Sequence, residues 1–99
     1  MTLLGRLSTL CERQDLDALY VFGSRAAEVA AFVRGQGPLD PTSGADVDLG
    51  ALPRPHRHLD VHARVQLTSE LEELLGVPRV DLVLLPQAGP YLALDVVSG

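Results

Sequence analysis

Residues 17–33 read DALYVFGSRAAEVAAFV, and the architecture that we predict is built around this stretch. Its first six residues, 17–22, are rich in β-forming side chains and predict a buried strand. Gly23 and Ser24 break that strand. Residues 25–33 favour a helix, for which Ser24 is the predicted N-cap. A strand that turns directly into a helix is a unit of α/β and α+β folds.

The segments on either side predict further helices and strands. Leucines recur at helical spacing before and after this unit, and Gly76 is placed to close the later helix. The predicted elements are helices over residues 2–14 and 59–75, strands over residues 45–52 and 79–85, and a short last helix from about residue 90. The sequence therefore predicts a small mixed sheet of about three strands packed with helices, in the order α-β-α-β-α-β-α.

The chain is short and acidic. Its 99 residues predict one domain, residues 1–99, and its 46% hydrophobic and 21% charged residues are a globular composition. The formal net charge of -5 disfavours broad nucleic-acid binding, which requires a basic surface. A single cysteine, Cys11, cannot form an internal disulfide, which predicts a reducing, cytoplasmic location. No stretch approaches the roughly 20 apolar residues of a membrane span, so we expect no membrane partner.

Three aspartates interrupt strands that are otherwise apolar. Asp46 and Asp48 stand two residues apart, so their side chains project from one face, roughly 6.5–7 Å apart at Cα, with Val47 and Leu49 facing the core. Asp81 lies inside a third apolar run. Carboxylates gathered in a sheet repel one another unless a cation or shared protons intervene. A divalent ion, Mg²⁺, is the economical explanation; a turn cap or an exposed strand end is the alternative for any one aspartate.

The turn at Gly23 and Ser24 has features of a phosphate site. Glycine lets the backbone approach a ligand, and a helix N-terminus offers free N–H groups and the positive end of the helix dipole. The Ser24 hydroxyl can donate to a phosphate oxygen, and Arg25 can add positive charge. A turn with a capping serine is also common without any ligand, so the structural alternative stays open.

Together these motifs resemble a known family. Residues 22–26 (FGSRA), 46–49 (DVDL) and 80–83 (VDLV) look like the hydrophobic-Gly-Ser, Asp-x-Asp and later acidic motifs of the minimal nucleotidyltransferases of the DNA polymerase beta superfamily. The resemblance covers most of the chain, from about residue 16 to residue 97. It implies a polymerase-beta-like nucleotidyltransferase fold.

The resemblance also implies a mechanism and catalytic residues. Asp46 and Asp48 would hold Mg²⁺ ions that bridge the triphosphate of a nucleotide. Asp81 would complete a second metal site and help to activate the acceptor hydroxyl, while Gly23 and Ser24 would grip the β- and γ-phosphates. Two ions about 3.5–4 Å apart stabilise the attacking and leaving oxygens of an in-line displacement.

Small prokaryotic members of this family resemble the antitoxin of a two-gene toxin–antitoxin pair. The implied partner is a helical HEPN-domain ribonuclease, and the implied activity is protein adenylyltransferase, with AMP moving from ATP to a toxin tyrosine. An antitoxin that neutralises its partner by contact alone is the alternative. A small-molecule or RNA acceptor is disfavoured, because 99 residues leave no room for a second, acceptor-holding domain. The oligomeric state stays open, with a homo-oligomer as one alternative.

Two segments depart from the family pattern or invite another interpretation. The link from Ser24 to Asp46 is longer than usual, and residues 34–44 predict a loop that is a flap, a partner-binding loop or, as we favour, a tolerated surface insertion. The three histidines match no tight zinc spacing and are predicted to be solvated surface residues. They are His56, His58 and His62.

Overall fold

The computed structural model describes residues 2–42, 46–55, 57–85 and 94–98. Within these ranges the chain alternates between helix and strand and then ends in two strands. The elements are α1 (Leu3–Arg13), β1 (Leu16–Phe22), α2 (Ala26–Val33), β2 (Val47–Pro53), α3 (Val61–Leu75), β3 (Val80–Leu84) and β4 (Leu94–Ser98). The predicted fold class, helices packed on a small mixed sheet, is confirmed.

The sheet has the strand order β3-β2-β1-β4. β1 is antiparallel to both of its neighbours, whereas β2 and β3 are parallel and are joined through α3. The sheet therefore has four strands where about three were predicted, and the predicted last helix is wrong over Leu94–Ser98. The earlier part of that helix prediction lies outside the described residues. The physical reason is that β1 is buried along most of its length, so its backbone N–H and C=O groups need partners on both edges.

The hydrophobic core lies between the three helices and one face of the sheet. Leu19 and Val21 of β1 lie opposite Ala51 and Leu49 of β2, and all four side chains are buried. The helices complete this core with buried, mostly aliphatic side chains: Leu7, Leu10, Cys11, Val29, Ala30, Val33, Leu67, Leu71 and Leu75. None of the helices in the described ranges is long and apolar enough to cross a membrane.

The helix ends confirm one prediction and correct another. Gly76 closes α3 in the left-handed conformation, with φ at 68°, as predicted. The N-cap of α2 is Arg25, whose side chain makes no capping bond, so the prediction of Ser24 as the N-cap is wrong. A backbone turn replaces the side-chain cap, because the N–H of Ala26 donates to the carbonyl of Gly23 at 3.2 Å.

Candidate functional site

The predicted site residues converge at one end of the sheet. Because β1 runs antiparallel to β2, and β2 runs parallel to β3, the end of β1 lies beside the beginnings of the other two strands. The register pairs Phe22 with Asp48, and Asp48 with Asp81. The Gly23-Ser24 turn directly follows Phe22. Three segments that are distant in sequence therefore meet around Asp48.

Asp48 and Asp81 project from the sheet face opposite the core. In β2, Val47 and Leu49 are buried while Asp48 between them is half-buried, as the alternation of the sequence predicted. In β3, Asp81 is exposed and both of its neighbours are buried. The strand pleat thus directs the two carboxylates to the same side of adjacent strands, where they lie close enough to interact.

Gly23 lies directly against Asp48. Its φ is +78°, a conformation that side chains other than glycine rarely adopt. A Cβ atom at this position would overlap Oδ2 of Asp48 and would lie 3.2 Å from its Cγ. Glycine is therefore required here both for the turn and for the close approach, which brings the turn backbone into contact with the carboxylate.

The environment of Asp48 disfavours its charged form. The pKa of this carboxyl is raised above its ordinary value of 3.8, chiefly by burial, then by the negative charges of Asp81 and Asp46, and then by a hydrogen bond with Asp81. A divalent cation would reverse each of the charge effects, because it would favour the ionised carboxylate. Carboxylate oxygens are ligands that Mg²⁺ prefers, so the chemistry of Asp48 and Asp81 is compatible with the predicted ion.

Asp46 does not belong to the close pair of carboxylates that Asp48 and Asp81 form. It precedes β2 and is exposed, and its Oδ1 lies 4.0 Å from Nε of the exposed Arg79. Within the described part of the chain, no three histidine, cysteine, aspartate or glutamate side chains form a group that could hold a metal ion. Asp48 and Asp81 are therefore the close pair, and Asp46 would have to turn away from Arg79 to join them.

Of the residues predicted to contact phosphate, Gly23 and Ser24 are exposed, but Arg25 is buried, with 5% of its surface exposed. Its Nε and Nη2 donate to the two carboxylate oxygens of Glu28 at 3.0 and 3.1 Å, and Nη2 also donates to the carbonyl of Asp40 at 2.6 Å. Arg25 therefore connects α2 to the following loop. Sequence reasoning did not predict this network, although Arg25 and Glu28 have the spacing of a helical ion pair. A phosphate contact by Arg25 stays a prediction.

The loop after α2 is held by the same network. Oε2 of Glu28 accepts a hydrogen bond from the N–H of Asp40 at 3.1 Å. Oδ1 of Asp40 in turn accepts from the N–H and the hydroxyl of Thr42, at 2.8 and 2.7 Å. These contacts tie the loop to α2, and its role as a flap, a partner-binding loop or a surface insertion stays a prediction; the last two residues of the predicted 34–44 segment lie outside the described ranges.

The histidines contribute nothing to this network in the described structure. His58 and His62 are exposed, in agreement with the prediction that they are solvated surface residues, and His56 lies outside the described residues. Neither of the two described histidines belongs to a metal-holding group among the residues described.

Acid should loosen the loop through Glu28 and Asp40. The hydrogen bond from Arg25 lowers the pKa of Glu28 below 4.5, and the hydroxyl and N–H of Thr42 lower the pKa of Asp40 below 3.8. Both pKa values are lower in the folded protein than in the unfolded chain. These contacts therefore stabilise the protein fully at a pH above the ordinary pKa values, and their contribution is lost as the pH falls through the lowered pKa values. Carboxyl NMR titration should show both groups titrating below their ordinary pKa values. The Glu28→Gln variant should lose the Glu28 titration, because glutamine does not ionise, and should keep the titration of Asp40.

No family model, no curated protein and no solved structure matches the chain. The resemblance to the minimal nucleotidyltransferases therefore stands on the three motifs and on their arrangement at one end of the sheet.

Proposed function

We propose that this chain is a Mg²⁺-dependent nucleotidyltransferase that moves AMP from ATP to a protein hydroxyl, a tyrosine of a HEPN-domain ribonuclease toxin, and so acts as the antitoxin of that toxin. The observation that carries the proposal is the meeting of Asp48, Asp81 and the Gly23 turn at one end of the sheet. Burial, and then the negative charges of Asp81 and Asp46, raise the pKa of Asp48 and so disfavour its ionised form. A ligand that needs these charges explains the arrangement better than stability does.

Each residue has a chemical role in the proposed reaction. Asp46, Asp48 and Asp81 would hold Mg²⁺, which when bound neutralises charge on the triphosphate and on the leaving pyrophosphate. The backbone of Gly23 would let phosphate oxygens approach closely, and the exposed Ser24 hydroxyl would donate to one of them.

The proposed transfer step is a displacement at the α-phosphorus of ATP. The acceptor hydroxyl oxygen forms a bond to the α-phosphorus while the bond between that phosphorus and the bridging oxygen breaks. Pyrophosphate departs with the bonding electrons, and the hydroxyl proton passes to a carboxylate oxygen of Asp81. The exposed position of Asp81 on its strand leaves that carboxylate accessible to an acceptor.

Nucleotide binding should depend on the metal. A ligand present at 100 times its Kd stabilises a protein by about 2.7 kcal/mol, which for a domain of this size raises the unfolding temperature by about 10 °C or more. We expect this shift with ATP and Mg²⁺ together and not with ATP in EDTA. The measurement is thermal unfolding under both conditions, and an equal shift in EDTA would contradict a carboxylate-held metal.

Transfer itself is tested with the acceptor present. The chain is incubated with Mg²⁺, its toxin partner and ATP that is labelled either at the α- or at the γ-phosphate. The α-label should appear on the partner and the γ-label should not, because pyrophosphate leaves. A partner labelled from the γ-phosphate would indicate a kinase and overturn the proposal.

An antitoxin that acts by contact alone is the second candidate. The observation that favours it is the position of Asp46, which lies near Arg79 instead of completing a three-carboxylate group. A protein that neutralises the toxin without labelling it, and that does so equally well when Asp46 and Asp48 are replaced by asparagine, would establish this candidate.

A further inference from the structure

Arg25 is the charged side chain that the described part of the fold buries. A guanidinium removed from water is stable only where its N–H groups find acceptors. Here it meets both oxygens of the Glu28 carboxylate and the main-chain carbonyl of Asp40. The hydrogen bonds raise the pKa of Arg25 and lower that of Glu28, so both groups keep their charge.

One end of this network adjoins the candidate site, and the other end lies in the loop that follows α2. Arg25 follows directly after Gly23 and Ser24, the turn that is predicted to hold phosphate. Asp40 lies in the loop between α2 and β2, six residues before Asp46 in the sequence. One buried side chain therefore ties the residue after the Gly23-Ser24 turn to Asp40 in the loop that follows α2.

We infer that Arg25 is a positioning residue: it holds the Gly23-Ser24 turn in place through its bonds to Glu28 and to the carbonyl of Asp40, and it does not itself bind phosphate. To reach a phosphate, the guanidinium would have to leave Glu28 and the carbonyl of Asp40, and Glu28 would lose its neutralising partner. The inference rests on the proposed function for the ligand that the turn receives.

A double-mutant cycle separates positioning from direct binding. The variants are Arg25→Met, Glu28→Gln and the two together, assayed for kcat and for the KM of Mg–ATP and of the partner protein. A positioning network predicts that each single variant raises the KM for Mg–ATP about tenfold, the size expected for losing a charge-assisted hydrogen bond, and that the double variant is no worse. The KM for the partner should not change.

Other roles of Arg25 predict different results. If Arg25 binds phosphate, Glu28→Gln should release it and leave the KM for Mg–ATP unchanged or lower, which would overturn the inference. If Arg25 only stabilises the fold, both variants should lower the unfolding temperature while kcat and KM stay unchanged well below that temperature, and this too would overturn it. Arg25→Lys, which keeps the charge but loses the planar fork, should restore only part of the affinity.

A more exposed ion pair at the other end of β1 provides a control for the loss of an arginine–glutamate contact. Nη1 of Arg13 lies 3.0 Å from Oε1 of Glu70, and Arg13 precedes β1 whereas the site follows it. Arg13→Met and Glu70→Gln should therefore leave the KM for Mg–ATP unchanged. An equal rise in these variants would show a general effect of losing ion pairs and would overturn the inference.

Hydrogen exchange distinguishes failure of this inference from failure of the proposed function. Arg25→Met should speed exchange of the Asp40 and Thr42 amides about tenfold, since both N–H groups are bonded within the network. If the wild-type protein neither binds nor transfers ATP, the proposed function fails. Faster exchange in Arg25→Met would still show that Arg25 holds the loop at Asp40. Unchanged exchange of these amides in Arg25→Met would overturn the inference, whatever the activity of the variant.

Discussion

A protein that carries Asp46→Asn together with Asp48→Asn is expected to transfer nucleotide at least about 10²–10³-fold more slowly than the wild-type protein, the loss typical of removing preorganised electrostatic stabilisation of a transition state. Asparagine keeps the size of the side chain but supplies no negative charge to hold Mg²⁺. The measurement is the initial rate of α-label transfer to the partner at saturating Mg²⁺.

The same substitutions should not destabilise the metal-free fold. The raised pKa of Asp48 means that its charge costs folding free energy at neutral pH, because the unfolded chain ionises this group more readily. Removing the charge should therefore leave the unfolding temperature in EDTA unchanged or higher. Activity lost with stability kept or gained is typical of a functional site and not of a structural one.

Asp17→Asn is the matched control for this pair. Asp17 lies near the start of β1, away from the site, and its Oδ1 is 3.6 Å from Nε of Arg54 in a partly exposed ion pair. We expect this variant to retain wild-type transfer. Full transfer by the protein with both Asp46 and Asp48 replaced would refute a carboxylate-held metal, and the contact-only antitoxin would then be the better account of any neutralisation.

Local patterns predicted most of the fold, and the errors arose where distant segments decide. The spacing of leucines and the glycine after α3 define helices within a few residues. The strand Leu94–Ser98 was missed because its conformation depends on the open edge of β1, to which it hydrogen-bonds far from its own position in the sequence. Strand preference of this kind reflects the neighbours more than the residues themselves.

The candidate site was likewise predictable from the sequence in part. Strand alternation predicted the outward direction of Asp48, and the family resemblance, which assigns Asp48 and Asp81 to the same two-metal site, implied that they approach each other. The burial of Arg25 could not be predicted, because arginine is rarely buried and its acceptor at Asp40 belongs to a loop whose path is set by tertiary contacts. The contact of Asp46 with Arg79 likewise depends on where β3 begins.

Gly23→Ala should have the second largest effect, on stability and activity together. A positive φ at alanine costs about 1 kcal/mol, and overlap of the new methyl group with Asp48 adds strain, so we expect the free energy of unfolding to fall by about 2–3 kcal/mol. Transfer should also fall, because the methyl group displaces the carboxylate and blocks the approach of the turn to phosphate. Denaturant unfolding and the transfer assay measure the two effects.

Gly76→Ala separates the backbone cost from the overlap. Gly76 has a similar φ of 68°, but a Cβ atom there would meet nothing within 4 Å, so only the cost of the backbone conformation, about 1 kcal/mol, should appear and transfer should be unchanged. The excess cost at Gly23 should vanish when Asp48→Ala is added, because the overlapping carboxylate is then gone. Equal costs at Gly23 and Gly76, with no coupling to Asp48, would show that the turn does not press against the carboxylate, and the close approach that organises the candidate site would have to be abandoned.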